Sequence, residues 1–180
     1  MAATTPQAPP HPDRSGRIAS MPGSLRVSDP MEILLVEDGW TDSKVTIHAV
    51  RRSCVHHRLT LVRTVDEAVR FLRRETIFAQ APTPDLLLLD MMLIDGSGLQ
   101  VIEAIRTLES RRDDFVAPAI VVLTASADPD LRRQCDEVGV EHFMQKPVLE
   151  STFTEMVHRH KRLMVHAASM RGVAAAVPVA

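Results

Sequence analysis

The chain has 180 residues, 24% of them charged and 45% hydrophobic, with a formal net charge of −2. This length suits one domain with tails, the slight acidity gives no electrostatic case for nucleic acid, and no run approaches the roughly 18 apolar residues of a membrane span. The N-terminal residues lack the basic-then-apolar-then-small pattern of a secretory signal and the two cysteines, Cys54 and Cys135, have no metal-type spacing, so a soluble cytoplasmic protein with reduced thiols is expected.

In chain order, residues 1–30 carry Pro6, Pro9, Pro10, Pro12, Pro22 and Pro30 without apolar periodicity, and read as a disordered lead-in. Met21 or Met31 would serve as an alternative start. A first strand, Glu32–Val36, ends in the acid pair Glu37-Asp38. The spacing then predicts a helix over Thr41–Arg52, capped by Thr41 or Asp42. Leu59–Val62 reads as a second strand. Thr64 caps a helix over Val65–Glu75, with Glu67 at the reciprocal capping-box position, and 76–83 form a long loop.

Leu86–Leu89 is too short a run for a free-standing helix. Between Pro84 and the Gly96-Ser97-Gly98 turn it reads as a strand buried on both faces, as in parallel sheets, and it stops at Asp90. A helix over Leu99–Leu108 and a charged connection at 111–116 lead to a fourth strand, Ala119–Leu123, which stops at Thr124. Asp128-Pro129 start a helix that runs to Val138, with Gly139 as its stop. Glu141–Gln145 is the fifth strand and leads into Lys146-Pro147. The last helix, Leu149–His166, carries Phe153, Met156, Val157, His160 and Met164 on one face, and 167–180 form a flexible tail. Arginine pairs such as Arg51-Arg52 and Arg132-Arg133 scatter over helix ends and read as solvated charges.

Five strand–helix repeats imply an α/β domain over 31–166. The sheet is parallel with right-handed crossovers, in the flavodoxin-like order 2-1-3-4-5. Its switch point lies between strands 1 and 3, the strands that end in Glu37-Asp38 and Asp90. Alone, Asp90 is as readily a solvated residue that starts a turn. With its neighbours it is more. Three carboxylates in one crevice raise each other's pKa unless a cation is present, and Mg²⁺ is the natural hard cation for such oxygens. Lys146 adds a positive charge for Asp90 or a phosphoryl group, and Thr124 a hydroxyl donor. The set fits phosphoryl transfer onto Asp90 as nucleophile, with catalysis by positioning and electrostatics.

On these residues, 32 to about 163 resemble the receiver domain of two-component response regulators. The matching signals are Glu37-Asp38 after strand 1, Asp90 after strand 3, Thr124-Ala125 after strand 4 and Lys146-Pro147 after strand 5. The resemblance implies that Asp90 accepts phosphate from a phosphohistidine on a sensor histidine kinase. It implies that Asp38, Asp90 and the Met92 carbonyl hold Mg²⁺, with Glu37 reaching it through water. It also implies a switch pair, Thr124 and Phe143, and a cis Lys146-Pro147 peptide. The family often has proline where Ile94 stands, and Asp95 and Ser97 alter the usual turn. The long connections and the lack of an attached output segment resemble stand-alone receivers that partner phytochrome-type kinases. Output is then expected through protein contacts, with the face of the fourth helix, fifth strand and fifth helix as a candidate homodimer surface. No catalysis is expected beyond the protein's own phosphotransfer and slow dephosphorylation.

Two rival classes share these features. An aspartyl-nucleophile phosphatase needs a second Asp two residues after the nucleophile, where this chain has Met92. A pseudo-receiver would keep the fold as an interaction module without phosphorylation, and retention of all five polar residues argues against it. Phe143 reads equally well as strand core. His56-His57 read as loop residues, His158, His160 and His166 as helix-surface residues, and Trp40 as a residue of the crevice rim.

Overall fold

The computed structural model describes residues 29–125, 129–140, 142–160 and 163. Its elements follow the chain as β1 (Met31–Val36), α1 (Trp40–Arg52), β2 (His57–Val62), α2 (Val65–Arg73), β3 (Leu86–Asp90), β4 (Met92–Leu93) and β5 (Gly96–Ser97). They continue as α3 (Gly98–Arg111), β6 (Ala119–Thr124), α4 (Pro129–Glu137), β7 (His142–Gln145) and α5 (Glu150–Arg159). Five strands form one parallel sheet in the order β2-β1-β3-β6-β7. With the two-residue strands β4 and β5 set aside, this is the 2-1-3-4-5 order of the flavodoxin-like fold.

The leucine run explains why the sheet is double-covered. Leu86, Leu87, Leu88 and Leu89 are each 0% exposed, although alternate side chains of a strand point to opposite faces. Leu87 and Leu89 join Ala68, Phe71, Ile102 and Ile105 on the face covered by α2 and α3. Leu86 and Leu88 join Val50, Phe153 and Val157 on the face covered by α1 and α5. Each such side chain contributes about 1.5–3 kcal/mol by leaving water. The central strand is thereby fixed from both sides, and so is the residue at its end.

Several boundaries differ from the sequence-based expectation. α1 begins at Trp40, and its N-cap is Gly39 with no side-chain bond, so neither Thr41 nor Asp42 caps it. Thr64 does cap α2, accepting from the Glu67 amide at 3.1 Å. Glu67 reaches past the cap to the Arg63 amide at 2.7 Å, and α2 stops at Arg73 because Arg74 turns left-handed at φ 57°. The 76–83 loop contains a 3₁₀ turn at Thr76–Phe78, anchored by an edge-on contact of Phe78 with Phe71 at 5.4 Å. α3 is longer than Leu99–Leu108, and Ser97 with Gln100 forms a full capping box at its start. Gly139 stands at φ 77° after α4, as its stop role requires. α5 ends at Arg159 rather than His166, since His160 is extended at φ −85° and ψ 109°. Met164, His166, Asp128 and Glu141 lie outside the described residues, as do the tail at 167–180 and the lead-in except for residues 29 and 30. Among the described residues no helix is long and apolar enough to cross a membrane.

Candidate functional site

The carboxyl edge of the sheet gathers the polar strand ends. Register pairs Val36 of β1 with Leu89 of β3, so Glu37 and Asp90 leave adjacent strands side by side. Asp90 pairs with Leu123 of β6, and Thr124 with Gln145 of β7, which brings Thr124 and Lys146 to the same edge. Lys146 donates its amide to the Thr124 carbonyl at 2.8 Å, and the Lys146-Pro147 peptide is cis, as the resemblance implied.

Glu37 is 1% exposed and Asp90 8%. One carboxylate oxygen each from Glu37, Asp38 and Asp90 lie within 4.8 Å of one another. The Lys146 ammonium lies 2.6 Å from Glu37 Oε2, 2.7 Å from Asp90 Oδ2 and 3.2 Å from Asp42 Oδ2. Asp90 Oδ1 accepts the Met92 amide at 3.1 Å, Glu37 Oε1 accepts the Gly39 amide at 3.1 Å, and Arg63 donates to the Asp38 carbonyl at 2.9 Å. Asp90 is therefore held at both oxygens.

The electrostatics follow from burial and crowding. Burial pushes the Glu37 carboxyl above the usual carboxylate range; the hydrogen bond from Lys146 opposes this and the neighbouring charge of Asp90 adds to it. Burial alone would lower Lys146, but hydrogen bonds and charge from Asp90 and Glu37 outweigh it and hold the ammonium well above its ordinary value. One cation thus serves a group of carboxylates larger than itself. Three converging oxygens with two buried carboxylates are a donor set that suits a hard, oxygen-seeking divalent cation.

Of the residues singled out from sequence, Glu37 and Asp90 meet Lys146 directly, and an Asp38 oxygen lies within 4.8 Å of theirs. Thr124 is half-buried at the end of β6. Met92 is 80% exposed, and its contact with the site is through the backbone. Phe143 is half-buried, pairs with Val122, packs against the core and carries the Arg132 guanidinium 4.1 Å above its ring. Trp40 stands at the rim, 65% exposed, with Lys44 4.1 Å from its ring centroid. His57 and His158 bond backbone carbonyls of Val55 and Thr154, and His160 meets His142 edge-on.

Sequence reasoning missed three contributors. Asp42 reaches Lys146; the available signal was an acid in the first turn of the helix that follows the acid pair. Asp95 accepts the Val65 and Asp66 amides at 2.8 and 3.2 Å, so the turn after β3 caps α2 from outside. A side chain at Gly98 would place a Cβ 2.6 Å from the Asp90 carbonyl oxygen, which explains the glycine behind the acceptor loop.

A family model, the response regulator receiver domain, matches residues 33–158. Response regulator Rcp1 of Synechocystis is 33% identical over 101 residues, 56% of this chain and 66% of Rcp1, just under two thirds of that relative's length. The structure of the Mn²⁺-bound form of Rcp1 aligns with a TM-score of 0.56 at 29% identity, covering 71% of this chain and 88% of that one. The phosphorylated cyanobacterial phytochrome response regulator RcpA aligns at 0.58 and 30% identity, covering 71% and 89%. The receiver domain of sensor histidine kinase PA1611 from Pseudomonas aeruginosa, with magnesium in its active-site cleft, aligns at 0.58 and 29% identity, covering 73% and 97%.

Proposed function

The chain belongs to the response regulator receiver family, and from that membership we propose that it accepts a phosphoryl group from a sensor histidine kinase onto Asp90 and signals through protein contacts. The observation that carries this reading is the Asp90 carboxylate, 8% exposed, held by Lys146 and the Met92 amide beside the Glu37-Asp38 pair. An Asp90 oxygen attacks the phosphorus of a phosphohistidine. The P–N bond breaks, its electron pair returns to the donor imidazole, and a P–O bond to Asp90 forms. Lys146 sits where it can balance charge on the incoming oxygens, and the fixed carboxylate needs little reorganisation to react. Slow hydrolysis later returns the carboxylate and inorganic phosphate, and the reading assigns the protein no catalysis beyond its own phosphotransfer and this step.

Glu37, Asp38, Asp90 and the Met92 carbonyl would hold Mg²⁺. Bound there, the ion neutralises charge on the transferring group. Support comes from the converging oxygens and from the magnesium and manganese described for the relatives above. The likeness to RcpA favours a phytochrome-type kinase as donor. Thr124 and Phe143 are the proposed switch pair, and the α4–β7–α5 face is the proposed homodimer contact.

The phosphatase reading is disfavoured because Met92 brings no carboxyl group to the position of a general acid. The pseudo-receiver reading is disfavoured because the Glu37, Asp38 and Asp90 oxygens converge and Lys146 pairs with Glu37 and Asp90. Phosphotransfer profiling with radiolabelled histidine kinases of the same genome tests the proposal. Stable label on this chain from a cognate kinase is expected. Rapid release of phosphate would favour a phosphatase, and no label from any kinase a pseudo-receiver.

A further inference from the structure

We propose that Asp42 is a positioning residue that holds Lys146 in the unphosphorylated state and releases it when Asp90 is phosphorylated; the inference rests on the phosphoacceptor reading above. An ammonium has three N–H donors. Around Lys146 they hydrogen-bond Asp90 and Asp42 at 2.7 and 3.2 Å, and the ammonium also pairs with Glu37 at 2.6 Å. A phosphoryl group on Asp90 brings oxygens that carry nearly two negative charges. They compete with the present contacts for Lys146.

The three contacts are unequal. The Glu37 side chain is 1% exposed, so bulk water cannot readily take the place of Lys146 there. Asp90 carries the new group and keeps Lys146 near. The Asp42 side chain is 51% exposed and makes the longest of the three contacts, so water replaces Lys146 at little cost. Its place in the first turn of α1 also suits a free carboxylate, because the helix N-terminus favours negative charge. Asp42 is not occupied as a cap, since Gly39 is the N-cap and no side chain bonds there. Asp42 therefore stabilises the unphosphorylated site through Lys146 and repels the phosphorylated one.

The consequence is a bias against phosphorylation set from α1. The test uses the full-length protein at saturating Mg²⁺, titrated with beryllofluoride as the phosphoryl stand-in. Binding is followed by calorimetry and by the fluorescence of Trp40, the single tryptophan, two residues from Asp42. Asp42→Asn is expected to bind beryllofluoride about two- to fivefold more tightly, the scale of a lost exposed ion pair. Asp42→Glu, which keeps the charge, is expected to stay close to wild type. Asp66→Asn serves as control; it removes a first-turn carboxylate of α2, 59% exposed and paired with Arg70. An unchanged affinity in Asp42→Asn, or an equal gain in Asp66→Asn, would overturn the role of Asp42. Failure of wild type to bind beryllofluoride at all would overturn the phosphoacceptor reading itself, and the inference with it.

Discussion

Glu37 is a residue of this site whose chemistry departs from that of a free side chain. It is 1% exposed, it shares Lys146 with two other acids, and the charge of Asp90 stands beside it. Burial raises its pKa, so the folded state binds a proton at Glu37 more tightly than the unfolded chain does. Stability attributable to Glu37 therefore falls as pH rises from the ordinary carboxylate range through its raised value. In chelator, urea unfolding of wild type and Glu37→Gln is expected to agree near pH 4 and to separate by pH 7, with the variant the more stable there. The reverse order at pH 7 would mean that Lys146 outweighs burial. Glu37 was legible from sequence as one acid of a strand-end pair. Its unequal share of Lys146 was not, because that depends on which oxygen each side chain turns inward.

At the scale of elements, the acceptor loop is joined to α2 through Asp95. Its two oxygens accept the Val65 and Asp66 amides, the first-turn donors that no helical carbonyl can satisfy. Asp95→Ala is expected to cost about 1 kcal/mol of global stability, the usual loss of a side-chain cap. Amide exchange at Val65 and Asp66 is expected to accelerate beyond that of the rest of α2; no local change there would deny Asp95 the capping role. Sequence gave Asp95 only as a departure from the family turn, since a cap delivered from thirty residues away leaves no local pattern. The β4–β5 pairing was hidden for another reason: two strands of two residues each carry no periodicity. α5 was overread because the apolar spacing runs on toward Met164, while the backbone leaves the helix at His160. By contrast, the buried strands were readable. A parallel strand covered on both faces must be apolar throughout, and Leu86–Leu89 is.

For the whole molecule, the two packed faces of the sheet make a rigid frame, and the acids sit at the edge where β1 and β3 part to opposite neighbours. The proposed route outward runs along β6 and β7, from Thr124 toward Phe143 and α4. Phe143 packs on the core and lies under Arg132, so its rotation would disturb that cation–ring contact and the α4 surface with it. Beryllofluoride with Mg²⁺ is expected to change amide exchange over residues 124–160 and to shift the protein toward a homodimer in sedimentation analysis. If both stayed constant, output through the α4–β7–α5 face would be ruled out.

The central claim is that Asp90 is the phosphoacceptor, and intact-protein mass spectrometry after incubation with acetyl phosphate and Mg²⁺ addresses it most directly. Wild type is expected to gain one phosphoryl group per chain, and Asp90→Asn, which keeps the size of the side chain but removes the nucleophilic carboxylate, to gain none. Equal phosphorylation of Asp90→Asn would contradict the account.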